Sequence, residues 1–385
     1  MRKLDKTAVI KVAKGACFLG SGGGGPLSIT PAIIENIFNI TDTITVVDIS
    51  EVPDDAGVAI SAGMGSPQGA AGMTFDTAPS AAFDTVANTY GKLSYVAAIE
   101  VGAANSVIPM LVAAHNNIPL VDANGAGRAV PTLSSTTFAQ AGIPATPAVL
   151  SAVGVKGNPV VVCPSGDSAE EVEEWAQKVL TTNPDFSQHK AGAVALWPFS
   201  GEKLKQGAGA TATAIGGSLV LAENIGEALD SPTPIDSVTE VLKGTGCKYQ
   251  YLGTGKVITV KEESVGALDG GIVEVAMDDG VMELPYLNEF LGAFNWDSEN
   301  PTYILGPDMI CCMTPDGEPL SNPSIKSKFE DSGSFDMAIF SIQASAPIRN
   351  KAMFDLFASH IKTLYPAFSG GYQQPGTLTM KWAWA

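Results

Sequence analysis

The sequence predicts an α/β protein in two parts, a parallel sheet covered by helices followed by a mixed, β-rich domain. Up to Val121, apolar β-branched runs alternate with stretches of helical periodicity, which favours parallel strands joined by helices. From Cys247 onward, short apolar runs are separated by Gly and Asp turns, which is typical of antiparallel sheet. The 385 residues are enough for two domains, which we place at 1–165 and 166–385.

The first half alternates predicted helices and strands. A helix over 5–19 has Asp5 as its predicted N-cap, and a second helix starts at Thr30 with Pro31 in its first turn. Further helices are predicted at 78–90 and 105–116, and strands at 44–49, 58–61, 95–99 and 118–121. This alternation predicts a Rossmann-like arrangement.

After residue 130 the chain continues with a mixture of predicted elements. Residues 134–162 indicate a short helix and apolar strands, and 191–197 a buried strand. Helices are predicted at 168–180, 211–229 and 350–364. Short strands are predicted at 249–252, 256–260, 270–277, 281–284 and 303–312.

Composition narrows the classes of partner. The formal net charge of -18 argues against a nucleic-acid partner and disfavours an anionic membrane surface. The five cysteines are scattered and form no CxxC pair, which indicates a reduced protein. There is no signal-peptide pattern and no apolar run of the roughly 18 residues that a membrane span needs. We therefore expect a cytoplasmic protein that acts on a small molecule.

Polar and small residues follow three of the predicted strands. Glu100 and Asp122 come directly after two of them, and the loop at 63–67 follows a third. Ligands of open α/β sheets bind outside the carboxyl ends of the strands. The sequence therefore predicts one site at this edge, and Glu100 and Asp122 could each serve there as general base, metal ligand or loop brace.

A glycine run at 20–25 precedes the first predicted strand of the sheet. Gly20, Gly22 and Gly25 match GxGxxG, but a helix precedes them where a dinucleotide site needs a strand. We expect no bound nucleotide, although a dinucleotide-binding enzyme stays an alternative hypothesis. Successive glycine N–H groups can instead form a nest for an anion or a carbonyl oxygen.

Two other side chains leave alternatives open. Arg128 could offer its guanidinium fork to a carboxylate or a urea-type oxygen, or it could be a structural arginine. Cys17 could be a nucleophile or a small buried residue. The chain has three histidines and no HExxH, so an all-histidine metal site is not expected.

Five segments of the chain are distinctive: LGSGGGG (19–25), EVGAANS (100–106), DANGAGRAVP (122–131), NEFL (288–291) and PDMI (307–310). Together they resemble one known family, the S-methyl thiohydantoin desulfurase family, which was long an uncharacterised bacterial family found beside hydantoinase/oxoprolinase genes. They cover most of the chain in order, so the resemblance is specific for the family and less specific for the substrate.

The resemblance implies hydrolysis of a hydantoin-like ring at the carbon between its two nitrogens, with release of a thiol. Glu100, Asp122 or Glu289 would activate water, and Arg128 would hold a ring carbonyl or a carboxylate. The predicted substrate-binding residues are Ser21, Gly22, Gly23, Gly24, Gly25, Asn105 and Asn288. A divalent metal bound by carboxylates is left open, without assigned ligands.

A competing hypothesis is a non-catalytic subunit or ligand sensor of a hydantoinase/oxoprolinase-like system. Such a protein would have a hydantoinase-like partner, and the sequence also leaves a homo-oligomer open. Independent turnover of a ring substrate distinguishes the enzyme from the subunit.

Overall fold

The fold is built on two β-sheets with helices packed around them. The computed structural model describes residues 1–73, 75–153, 158–164, 166–295 and 302–364. Apart from short 3-10 turns, the elements up to Ser200 are β1 (Arg2–Leu4), α1 (Lys6–Leu19), α2 (Thr30–Ile40), β2 (Ile44–Val47), β3 (Gly57–Gly65), α3 (Pro67–Ala70), α4 (Ala78–Tyr90), β4 (Tyr95–Ala98), α5 (Ala103–Asn116), β5 (Leu120–Val121), β6 (Ala123–Asn124), α6 (Thr137–Gln140), β7 (Val149–Val153), β8 (Pro159–Val162), α7 (Ala169–Thr182), α8 (Pro184–Ser187) and β9 (Ala191–Ser200).

The remaining elements include the strands of the second sheet. They are α9 (Gly201–Leu204), β10 (Ile215–Gly216), α10 (Ser218–Leu229), α11 (Pro234–Thr245), β11 (Tyr249–Val265), β12 (Leu268–Met277), β13 (Gly280–Leu287), β14 (Glu289–Phe290), β15 (Gly292–Asn295), β16 (Thr302–Leu305), β17 (Met309–Met313), β18 (Pro319–Leu320), α12 (Asn322–Ser332), β19 (Phe335–Ile342) and α13 (Lys351–Leu364).

The first sheet has the strand order β1-β2-β5-β4-β3-β9-β7-β8. Strands β2, β5, β4 and β3 run parallel, as predicted. Strands β1, β9, β7 and β8 pair antiparallel with their neighbours, so the sheet is mixed. The α/β prediction is confirmed, and the purely parallel sheet is corrected to a mixed one. An apolar pattern indicates that a strand exists, but it does not give the direction of a partner strand that is distant in the sequence.

Both faces of the first sheet are covered. One face packs against α1, α2, α4 and α5, and the apolar cluster there continues into β17 and β19 of the second sheet. The rings of Phe18 on α1 and Phe340 on β19 meet edge to face, with their centroids 5.6 Å apart. The other face packs under α6, α7 and α8. The two halves of the chain therefore share one apolar core cluster.

The second sheet is antiparallel, as predicted. Its strand order is β16-β15-β13-β12-β11-β19-β17-β18, and β14 pairs with β13. Strand β11 is one long strand over both predicted strands at 249–252 and 256–260, with register shifts in its pairing to each neighbour. The predicted strand at 303–312 is divided by Gly306 and Pro307, which lie between β16 and β17.

Two other predictions need correction. The helix expected at 211–229 begins only at Ser218, because Gly217 takes a left-handed conformation with φ +78° and the preceding residues pair with β6 as β10. Helices α11 and α12 and strand β19 were not predicted. Strand β9 lies beyond residue 165 and still belongs to the first sheet, while the domain boundary itself stays a prediction. Along the described residues, none of the helices combines the length and the apolar character that crossing a membrane requires.

Candidate active site

A cavity lies where the carboxyl ends of the parallel strands meet the second sheet. Its volume is about 70 Å³, and one water needs roughly 10–15 Å³, so it has room for several waters or a small ligand. Six of the predicted site residues line it: Gly24, Gly25, Glu100, Asn105, Asn288 and Glu289. The first four come from the first half of the chain and the last two from the second, so the cavity is formed jointly.

Glu100 extends from the end of β4 and is held at both oxygens. Asn105 Nδ2 donates to Oε1 at 2.6 Å, and the Val130 N–H donates to Oε2 at 2.8 Å. Burial raises the pKa of Glu100 to about 7, against the opposing effect of these donors and of the Arg128 charge. Asn105 is fixed in turn, because its Oδ1 accepts the Gly63 N–H at 2.7 Å.

Glu289 reaches the same cavity from β14 and carries a second buried carboxyl. The backbone N–H of Gly24 favours its ionised form, but among the described residues its Oε2 has no hydrogen-bond partner. Burial raises the pKa of Glu289 well above its ordinary value, and the neighbouring Glu100 carboxyl raises it further. Glu100 and Glu289 thus form an electrostatically coupled acidic pair.

Asn288 sets the direction of Glu289. Its φ is +57°, a left-handed conformation that asparagine tolerates better than most residues. The side chain is held on both sides, since Oδ1 accepts the Asp269 N–H at 2.9 Å and Nδ2 donates to the Gly65 carbonyl at 3.2 Å. These bonds connect the turn before β14 to the end of β3.

The glycine run passes against Glu289 and the start of α5. A Cβ on Gly23 would lie 2.1 Å from Glu289 Oε1, so only a residue without a side chain fits there. The Gly24 carbonyl accepts the Ala104 and Asn105 N–H groups at 3.2 and 3.1 Å. The helix N-terminus of α5 is therefore occupied by the loop rather than open to an anion.

The earlier part of the run binds protein backbone. Ser21 Oγ accepts the Ile310 N–H at 2.9 Å, and the Ser21 carbonyl accepts the Phe290 N–H at 2.8 Å. The Gly22 carbonyl accepts the Asn322 N–H at 2.8 Å. Ser21, Gly22 and Gly23 do not line the cavity, so of the predicted glycine nest the structure places Gly24 and Gly25 there.

Arg128 lies behind the cavity and is fully buried. Its guanidinium donates to four backbone carbonyls: Ala129 at 2.8 Å, Phe290 at 2.7 Å, Pro307 at 3.1 Å and Asp308 at 2.9 Å. It also stacks on the Phe357 ring, 5.1 Å from the centroid. Burial lowers its pKa to about 10, against the opposing charges of Glu289 and Glu100. Arg128 therefore joins three loops and supplies positive charge near the acidic pair.

Asp122 is held by helix α10. Its Oδ1 accepts the Leu219 N–H at 2.8 Å, in the first turn of that helix. It borders a separate space of about 10 Å³, which Glu100 also borders, and it does not line the main cavity. Burial raises the pKa of Asp122, and the helix N–H groups oppose that effect.

Sequence reasoning missed Glu173 and named Ser66 only as part of the loop at 63–67. Glu173 on α7 lines it, with Oε1 bonded to Gln177 Nε2 at 2.9 Å and Oε2 to the Leu133 N–H at 3.0 Å. It belongs to an acidic stretch that looks like an exposed helix face. Ser66 also lines it and donates to Asp269 at 2.8 Å. It lies within the loop at 63–67, which the sequence already placed after a strand.

Metal ligands and a reactive thiol are the other candidate sources of chemistry. Within the described part of the chain, no group of three or more His, Cys, Asp or Glu side chains is arranged to hold a metal ion. Cys17 is buried, and burial raises the pKa of its thiol to about 12, which is unsuited to a nucleophile. The carboxyl pair is the chemically distinctive feature of the cavity.

Comparison with known proteins covers both halves of the chain. Residues 7–163 match the family description "S-Me-THD-like, N-terminal domain" and residues 168–358 match "S-Me-THD-like, C-terminal domain". The crystal structure of a protein from Chromobacterium violaceum is similar with a TM-score of 0.76 and 26% identity, over 94% of this chain and 97% of that chain. No curated protein matches.

Proposed function

The chain belongs to the S-Me-THD-like family, the S-methyl thiohydantoin desulfurase-like proteins, and on this premise we propose that it hydrolyses small hydantoin-like rings, with an S-methyl thiohydantoin as the substrate. Water would attack the ring carbon between the two nitrogens, and methanethiol would leave, so that the products are hydantoin and the thiol. The observation that carries the proposal is the buried pair Glu100 and Glu289 in one cavity.

The two carboxyls suit different steps. Glu289, whose pKa burial raises well above its ordinary value, would keep its proton and donate it to the leaving sulfur as general acid. Glu100, with a pKa of about 7, would accept a proton from the attacking water as general base. Two carboxyls whose surroundings separate their pKa values are the usual basis of such an acid–base pair.

The other predicted catalytic residues act indirectly in this proposal. Arg128 has its donors on backbone carbonyls, so it would hold the loops and balance the charge of Glu100 and Glu289 rather than bind the ring. Asp122 would fix the start of α10. The glycine run would orient the acid, because Gly23 lies directly against the Glu289 carboxyl.

Methanethiol release from S-methyl thiohydantoin tests the proposal. We expect turnover by the native chain and a loss of at least about 100-fold in kcat for Glu100→Gln and Glu289→Gln, since general acid–base catalysis contributes about 10²–10⁴-fold. Glu227→Gln, on the exposed surface of α10, is the matched control and should keep full activity.

Two results would contradict the proposed roles. One is full activity in both Gln variants of the pair. The other is loss of turnover in Asp122→Asn with an unchanged melting temperature, which would move the chemistry away from the cavity. Absence of thiol release by the native chain, together with co-purification with a hydantoinase-like enzyme, would favour the non-catalytic subunit instead.

A further inference from the structure

The cavity has an unusual balance of hydrogen-bonding groups. Three carboxyl side chains line it, Glu100, Glu173 and Glu289, while none of the described residues that line it is Lys, Arg or His. Both oxygens of Glu100 and of Glu173 are already bonded to protein donors. The carboxyl of Glu289 is buried, and its Oε2 has no partner in the described chain. Glu289 is therefore the lining carboxyl that protein donors do not saturate, and a ligand that uses it would hydrogen-bond to a carboxyl group.

An amidine or guanidine edge matches a carboxyl group with two parallel hydrogen bonds. The match holds in either protonation state, because a carboxylate facing a cation and a carboxylic acid facing a neutral amidine have the same arrangement of heavy atoms. An S-methyl thiohydantoin has no exocyclic N–H and makes one of the two bonds. The same ring with an exocyclic amino group makes both.

We propose that this cavity also takes 2-aminoimidazolin-4-ones, which are cyclic acylguanidines, and releases their exocyclic nitrogen as ammonia. The inference rests on the proposed function, since it uses the same cavity and the same acid–base pair. It extends that function from cleavage of a carbon–sulfur bond to cleavage of a carbon–nitrogen bond.

The reaction balances without a further reactant. Water oxygen bonds to the ring carbon between the two ring nitrogens, and the water proton passes to Glu100. The exocyclic carbon–nitrogen bond breaks, and its electron pair leaves with nitrogen, which takes a proton from Glu289. One water and one aminoimidazolinone give one hydantoin and one ammonia, and a proton returns from Glu100 to Glu289.

The same lining predicts which rings are rejected. A substituent with a carboxylate would place one more negative group among Glu100, Glu173 and Glu289, with no described cationic side chain in the lining to pair with it. Hydantoin-5-acetic acid is therefore a suitable negative probe. We expect it to bind at least ~10-fold more weakly than 2-aminoimidazolin-4-one, as one missing charge-assisted hydrogen bond requires.

The experiment measures two products separately on the full chain. Ammonia release from 2-aminoimidazolin-4-one and methanethiol release from S-methyl thiohydantoin are followed in parallel, and binding of each ring and of hydantoin-5-acetic acid is measured by calorimetry. Glu289→Gln should weaken binding of the amino ring by ~10- to 100-fold. Glu227→Gln, on the exposed face of α10, should not change it. Competition between the two rings in the native chain tests a shared site without any variant.

Each outcome decides the inference. Ammonia release with competitive inhibition of thiol release supports it, and ammonia release without any thiol release supports it while overturning the proposed substrate. Thiol release without ammonia release overturns the inference and leaves the proposed function standing. Neither product overturns both. Preferred binding of hydantoin-5-acetic acid also overturns it.

Discussion

Gly23→Ala is the sharpest test of how the glycine run supports the site. The added Cβ would lie 2.1 Å from Oε1, 2.4 Å from Cγ and 2.5 Å from Cδ of Glu289. Real Cβ contacts essentially never fall below 3.0 Å, so the carboxyl must shift by about 1 Å or the loop must open. We expect a loss of about 1–3 kcal/mol in the free energy of unfolding, as for other overpacked sites.

The same shift of the Glu289 carboxyl should lower the turnover rate by more than the loss in the free energy of unfolding would suggest. Misplacing a reacting group by about 1 Å can cost about 100-fold in rate. We therefore expect methanethiol release to fall by about that factor in Gly23→Ala, while urea unfolding shows a folded protein. Gly244→Ala is the matched control, because Gly244 lies in helix α11 with nothing within 4 Å of an added Cβ. That variant should be neutral or slightly stabilising.

A double-mutant cycle isolates the contact. In a Glu289→Ala background the three nearest atoms are absent, so adding Gly23→Ala should cost little further stability. The coupling energy between the two substitutions should then be about 1–3 kcal/mol. Additive effects on the free energy of unfolding, or full activity in Gly23→Ala, would refute the assigned contact.

Three further predictions use urea unfolding. The folded state raises the pKa of Glu100 to about 7, so the stability that this group contributes is present at low pH. It falls by about 3 kcal/mol as pH rises through about 4.5 to 7. Glu100→Gln should remove that fall, and parallel stability-versus-pH curves for the variant and the native chain would contradict the prediction. Arg128→Met leaves four backbone carbonyls without their donor and two carboxyls without their counter-charge, and it should lower the free energy of unfolding by at least ~3 kcal/mol. A decrease below about 1 kcal/mol would contradict the role of Arg128 as a buried structural donor. Ser66→Ala removes the hydroxyl donor from Asp269 and should cost about 1–2 kcal/mol, and an unchanged unfolding midpoint would contradict that.

The sequence predicted the centre of the fold well because its signals are local. Asp5 caps α1 by accepting the Ala8 N–H at 2.8 Å, and Pro31 lies in the first turn of α2, as expected. The ends of β3, β4 and β5 meet at one edge, since parallel strands bring their carboxyl ends together. The direction of β9 depends on a distant partner and could not be deduced from its own residues.

The site was harder to predict because side-chain direction is decided by packing. Glu100 and Asp122 both follow parallel strands, yet the first lines the cavity and the second is bonded to α10. The sequence left Arg128 open between a ligand-binding and a structural side chain, and only the fold shows that its guanidinium donates to four backbone carbonyls. Glu173 comes from a helix that no motif distinguishes. The catalytic role of each residue stays a prediction until it is assayed.

Because both halves of the chain contribute carboxyls to the cavity, the proposed activity depends on their assembly during folding. Glu100 comes from the first sheet and Glu289 from the second, and the Glu100 carboxyl raises the pKa of Glu289. A newly made or damaged chain in which the halves have not docked would leave these carboxyls in water, where they ionise as ordinary acids. Catalytic activity would therefore appear only when the two halves have assembled, and a partly folded chain would not hydrolyse ring substrates.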